Sequence, residues 1–93
     1  MNFTVVWGVD ASEQVTREML AANSLGRDLA PVVAAVAAMN RELAVDAHQT
    51  GESREAGVRV HAVDGLTAYF EPYPDVGFVF VRRGVFHPPR PRP

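Results

Sequence analysis

The dipeptide Asp64-Gly65 sits between two short stretches, Val58-Arg59-Val60-His61-Ala62-Val63 and Leu66-Thr67-Ala68-Tyr69-Phe70-Glu71. The first stretch alternates apolar with polar residues, and a period of two places every second side chain on the same face of a strand. Asp-Gly accepts the positive φ angles that a two-residue hairpin turn demands. This part of the chain is therefore expected to fold as a hairpin, with Arg59 and His61 sharing one face. Pro72-Tyr73-Pro74-Asp75 reads as a second turn. Val76 to Arg83 reads as the last strand, with Phe78, Phe80 and Arg82 on one face and Val79, Val81 and Arg83 on the other. Strict alternation points Arg82 and Arg83 to opposite faces.

The N-terminal half has a different rhythm. Phe3-Thr4-Val5-Val6-Trp7 is β-branched and aromatic and predicts a strand ended by Gly8. Asp10-Ala11-Ser12-Glu13 has the layout of a capping box, an acceptor followed by Glu three residues later. A helix to about Asn23 follows, with Ala11, Val15, Met19 and Ala22 on one face. A second helix is expected from about Asp28 to Val45, with Asp28 as cap and Pro31 in the first turn, where a missing N–H costs little. Its apolar positions are Leu29, Val32, Val36, Met39 and Leu43, and its many alanines let a neighbouring helix approach closely. The polar stretch 48–56 is read as an ordered loop.

The element order is thus strand, helix, helix, strand, strand, strand. The expected class is α+β: an antiparallel sheet of about four strands, one face covered by the two-helix hairpin and the other partly open. Ninety-three residues suffice for one domain, placed at 1–87. The remaining residues, 88–93, are rich in Pro and Arg and read as a flexible extended tail.

Composition narrows the function. There is no cysteine, so disulfides, thiol catalysis and thiolate metal sites are excluded. His48, His61 and His87 are too scattered to argue for a metal, and no cofactor is expected. No apolar run approaches the roughly 18 residues needed to span a bilayer, and the first residues lack a basic start followed by a long apolar stretch, so neither a membrane span nor a secretory signal is expected. A cytoplasmic protein without membrane contact is expected. Net charge is −2, so the whole-protein basic field of a typical nucleic-acid binder is absent. Residues 76–93 nevertheless hold four arginines and no acid. All nine basic residues are arginine, the side chain suited to planar, bidentate contacts with phosphate or carboxylate.

The Phe-x-Val-x-Trp strand, the helix start containing Ala11, the two-helix hairpin, the Val-Arg-Val-His and Leu-Thr-Ala-Tyr-Phe-Glu strands and the last strand ending in Arg82-Arg83 occur in that order. With that arrangement, residues 2–87 resemble the RelE/ParE superfamily of small toxins from bacterial toxin–antitoxin pairs, with the Gly51-Glu52-Ser53-Arg54 loop looking like a feature of a divergent branch. The resemblance implies one of two activities: cleavage of mRNA in the ribosomal A site, or poisoning of DNA gyrase. It also implies a cognate antitoxin as partner. A homodimer stays open.

On that resemblance, Arg59, His61, Arg83 and His87 fall where RelE-like nucleases carry their catalytic groups, and Arg54, Arg82 and Tyr69 are candidates for nucleic-acid or partner binding. Arginine is a poor general base, so proton transfer would fall to His61 or His87. Thr67 stands near a position that is often arginine, and the set has no lysine, so it is incomplete and leans away from a nuclease. Each candidate has a plain alternative. Arg59 and His61 also fit a solvated sheet face, and Arg82-Arg83 fit a charged strand end that deters edge pairing. His87 also fits an exposed histidine, and Glu52 with Arg54 a loop-ordering ion pair. The alternative function is a non-catalytic interaction module that keeps the scaffold without toxin chemistry. Arg59, His61, Arg82 and Arg83 are expected to line one region near the C-terminal end of the sheet.

Overall fold

The first strand, β1 (Thr4–Trp7), lies at the edge of the sheet, beside the antiparallel meander. It pairs in parallel with the last strand, and Val5 and Trp7 lie opposite Val79 and Val81. The computed structural model describes residues 1–87; the tail read at 88–93 lies outside the described residues. The elements that follow β1 are α1 (Val9–Ser24), α2 (Ala30–Leu43), β2 (Glu52–Ser53), β3 (Arg59–Val63), β4 (Leu66–Tyr73) and β5 (Phe78–Phe86). The strand order is β1-β5-β4-β3-β2. The class is α+β, as expected. The sheet is mixed rather than antiparallel and has five strands rather than about four, because the loop after α2 contributes the two-residue strand β2 against β3.

The helix boundaries shift for local reasons. The Gly8 N–H donates to the Val81 carbonyl at 2.9 Å, so the ladder runs to the last residue before α1. Gly8 itself caps the helix, with no side-chain cap bond, and the expected capping box does not form. A Cβ at Gly8 would lie 2.5 Å from Cζ of Phe80, which is why glycine suits this crossing. Asp10 falls instead in the first turn of α1, where a negative charge favours the free amides. Asp28 does act as expected: its Oδ1 accepts the Ala30 N–H at 2.9 Å at the start of α2.

The core lies on one side of the sheet. Leu66, Ala68 and Phe70 of β4 and Val79 and Val81 of β5 face Ala35, Met39 and Leu43 of α2 and Ala11 of α1. α2 thus turns its small residues inward along with Met39 and Leu43, whereas Val32 and Val36 are only partly buried. The one indole of the chain, Trp7, borders this core and donates from Nε1 to Oδ1 of Asn40 at 2.6 Å, so its polar edge is satisfied.

α1 has a second task. β1 pairs with β5 only from Phe78 to Val81, which leaves the next part of β5 without a strand on that side. There, Oε1 of Gln14 accepts the Gly84 N–H at 2.9 Å and replaces the missing neighbour. The opposite sheet face, formed by Thr67, Tyr69, Glu71 and Tyr73 of β4 with Phe78, Phe80 and Val85 of β5, carries no second layer among the described residues. No helix among the described residues is long and apolar enough to cross a membrane.

Candidate functional site

The two adjacent arginines of β5 share a face after all. Along the β4–β5 ladder Tyr69 pairs with Arg83, and the next residue, Phe70, pairs with Val81. Arg82 is therefore an extra residue in β5, a β-bulge, and the bulge resets the alternation. Arg83 takes its face from Tyr69, the open one. Arg82 reaches the same face, where its Nη1 lies 3.0 Å from Oε1 of Glu71. The expectation that alternation separates these arginines is corrected by this single inserted residue.

Their surroundings are specific. The Arg83 guanidinium carbon lies 5.6 Å from the centroid of the Tyr69 ring, in cation–π range. Glu71 receives Arg82 on one oxygen and the Tyr73 hydroxyl on the other, the latter at 2.6 Å. That hydrogen bond to the Glu71 carboxylate raises the Tyr73 phenol above the ordinary tyrosine value, with partial desolvation adding to it. Tyr73 in turn stacks on Phe78 with ring centroids 4.7 Å apart.

Across the bulge stands α1. Its residues Asp10, Gln14 and Arg17 recur at helical spacing and line, with Tyr69, Arg82, Arg83 and Val58, a cleft of about 470 Å³. Among the described residues, neither Arg17 nor Arg83 has a carboxylate within salt-bridge distance. A second groove, of about 480 Å³, runs along α1 past Trp7 and Val9, and its charged lining residues are one acid and one base, Glu13 and Arg17.

Arg59 and His61 are elsewhere. Arg59 pairs with Phe70 and His61 with Ala68, both buried core residues, so the two polar side chains stand on the helix-covered face. Arg59 donates from Nε to the Thr50 carbonyl at 2.8 Å and from Nη2 to the Gly51 carbonyl at 3.0 Å. His61 Nε2 lies 2.8 Å from Oε1 of Glu42 on α2. The expected common region of Arg59, His61, Arg82 and Arg83 is therefore not formed. The sheet separates the first pair from the second, because period-two alternation in β3 and the bulge in β5 assign them opposite faces.

The remaining candidates divide likewise. His87 is exposed at the end of β5, and its Nε2 lies 3.1 Å from Oγ1 of Thr67. Thr67 is on the open face two residues from Tyr69, so His87 belongs to the same side as Arg83. Arg54 pairs with the exposed Glu52 at 3.1 Å, the loop-ordering alternative considered for it. Among the described residues no group of three or more potential metal ligands comes together.

Sequence reasoning missed Asp10, Gln14, Arg17 and Glu71. The helical spacing of the first three was available as a signal, since they form a polar stripe beside Ala11, Val15 and Ala22. The link from Glu71 to Arg82 was not, because it depends on the bulge. Compared with protein-family models and with curated proteins, the chain matches none.

Proposed function

We propose that this protein is the toxin-like component of a type II toxin–antitoxin pair of RelE/ParE type. It engages its target through the open sheet face around Tyr69, Arg82 and Arg83, and a cognate antitoxin neutralises it. The carrying observation is the bulge that places Arg83 over Tyr69 and Arg82 against Glu71 on a face with no second layer among the described residues. A strand order in which β1 lies parallel to β5 at one end of an antiparallel meander is compatible with that reading.

The target is the translating ribosome with its mRNA, or DNA gyrase. Binding is favoured over mRNA cleavage within this reading. Two of the four groups a nuclease would need, Arg59 and His61, are committed to the Thr50 and Gly51 carbonyls and to Glu42. His87 is then the imidazole left for proton transfer on the arginine-bearing face. The same commitment favours, as the second reading, a non-catalytic interaction module.

The test is tightly controlled induction in a bacterial culture, with the wild type beside an Arg82→Ala, Arg83→Ala double variant. Arrest by the wild type and continued growth with the equally folded variant is the expected result. The order in which protein and DNA synthesis fail then separates ribosome from gyrase. Unimpaired growth with folded wild-type protein present, in hosts of more than one lineage, selects the interaction module.

A further inference from the structure

We propose that the cleft between α1 and the β5 bulge is a binding site for a phosphate monoester, with the dianion held between Arg17 and Arg83 and with Arg82 at its side. The inference does not depend on the toxin reading, because it rests on the cleft itself.

Three guanidiniums line this one cleft, on a chain whose net charge is −2. Arg17, Arg82 and Arg83 are exposed, and like charges brought together still repel there, if more weakly than in a dry interior. A regular strand would have reduced it by sending Arg82 and Arg83 to opposite faces. The bulge brings them to the same face, and Glu71 offsets only Arg82. Asp10, the one acid among the residues that line the cleft, lies in the first turn of α1, where its charge is set against the helix amides. The positive charge of Arg17 and Arg83 is left for an outside anion.

The geometry suits phosphate better than carboxylate. The Arg83 guanidinium carbon lies 5.6 Å from the centroid of the Tyr69 ring, and a guanidinium can present its N–H groups to an anion as a fork. Arg17 approaches from the helix and Arg83 from the sheet, so the anion is met from two directions. A carboxylate offers two oxygens, enough for one fork. A terminal phosphate offers three oxygens and a charge of about −1.5 to −2, enough for two guanidiniums or three. An internal phosphodiester has one charge and fewer free oxygens. A cleft of about 470 Å³ falls within the size of sites that take small ligands, with room for a nucleoside beside the phosphate.

The experiment is titration of the folded full chain at low salt, by calorimetry and by amide chemical shifts. The probes are inorganic phosphate, adenosine 5′-monophosphate, adenosine, and a dinucleotide lacking a terminal phosphate. The variants are Arg17→Gln and Arg83→Gln, with Arg27→Gln, in the exposed turn after α1, as control. The expected result is saturable binding of the monophosphate, weakened about tenfold or more by each cleft variant and unchanged by the control. Equal affinity for inorganic phosphate assigns recognition to the phosphate alone. Tighter binding of the nucleotide adds a nucleoside contact, and either result supports the site. The proposal is overturned by the absence of saturable binding, by adenosine or the dinucleotide binding as tightly as the monophosphate, or by equal weakening in Arg27→Gln.

Discussion

The guanidinium of Arg83 lies over the ring of Tyr69, 5.6 Å from its centroid, and the two residues are direct cross-strand partners. That relationship ties the candidate site to one irregularity of the sheet. Without the extra residue at Arg82, only one arginine of the pair could stand on the open face. Bulges are common where a strand must re-aim a side chain. Here the re-aimed chain is the one that leaves Glu71, Arg82 and Arg83 together on the same side.

The first prediction concerns the bulge directly. Deleting Arg82 makes Tyr69–Arg83 and Phe70–Val81 consecutive pairs of a regular ladder. The deletion removes an ion pair between an exposed arginine and a partly buried glutamate, and a surface pair is worth about 0–1 kcal/mol. Thermal unfolding of the shortened protein should therefore show a stability within about 1 kcal/mol of the wild type. Failure to fold would mean that the bulge serves the fold rather than the site.

A second prediction separates the two groups of arginines. Arg59→Ala leaves two backbone carbonyls, of Thr50 and Gly51, without a charged donor, and should cost about 1–3 kcal/mol. Arg83→Ala removes an exposed cation–π contact and should cost no more than about 1 kcal/mol. Urea titrations of the two variants, analysed for midpoint and slope, distinguish the cases. A larger loss from Arg83→Ala would give Arg83 the structural role assigned to Arg59.

Much of this architecture is legible in the sequence, and what is not has definite causes. Asp64-Gly65 specified the β3–β4 hairpin because both residues take positive φ, +50° and +83°. Phe3 to Trp7 announced a strand, but its parallel pairing with β5 is a long-range choice that no local pattern carries. The buried face of α2 was misjudged in part: the larger valines suggested Val32 and Val36, whereas Ala35 and Ala38 turn inward beside Met39 and Leu43. Close packing of the helix on the sheet selects the small residues. At the site, period two read Arg59 and His61 onto one face correctly. It failed at Arg82-Arg83, because nothing in Val-Arg-Arg-Gly marks which residue is the insertion.

Two glycines give a third prediction. Gly51 and Gly57 both have positive φ, +68° and +77°. A Cβ at Gly57 meets nothing within 4 Å, so Gly57→Ala should cost only the left-handed backbone penalty of about 1–2 kcal/mol. A Cβ at Gly51 would collide with the Val60 carbonyl oxygen, a backbone atom of the neighbouring strand. Gly51→Ala should therefore cost more than about 3 kcal/mol, at the severe end for single substitutions. Side-by-side denaturation curves check the order. Equal losses would show that the loop can move away from β3.

The last prediction uses the Tyr73–Glu71–Arg82 chain and has two opposite signs. The Glu71 carboxylate accepts the Tyr73 hydroxyl proton in a hydrogen bond and raises the phenol above its usual value, while Arg82 pulls in the other direction. Because the folded value exceeds the unfolded one, this bond stabilises the protein fully below the ordinary tyrosine range, near about 10. Its contribution is lost as pH rises through the higher folded value. Glu71→Gln should move the Tyr73 titration down, since the negative charge that opposed ionisation is gone and Arg82 remains. Arg82→Gln should move it further up, since Glu71 then acts unopposed. Ring resonances of Tyr73 followed against pH read both shifts. Displacement in the same direction by both variants would show that Glu71 does not stand between the tyrosine and the arginine, and that Arg82 is free to swing away from the open face.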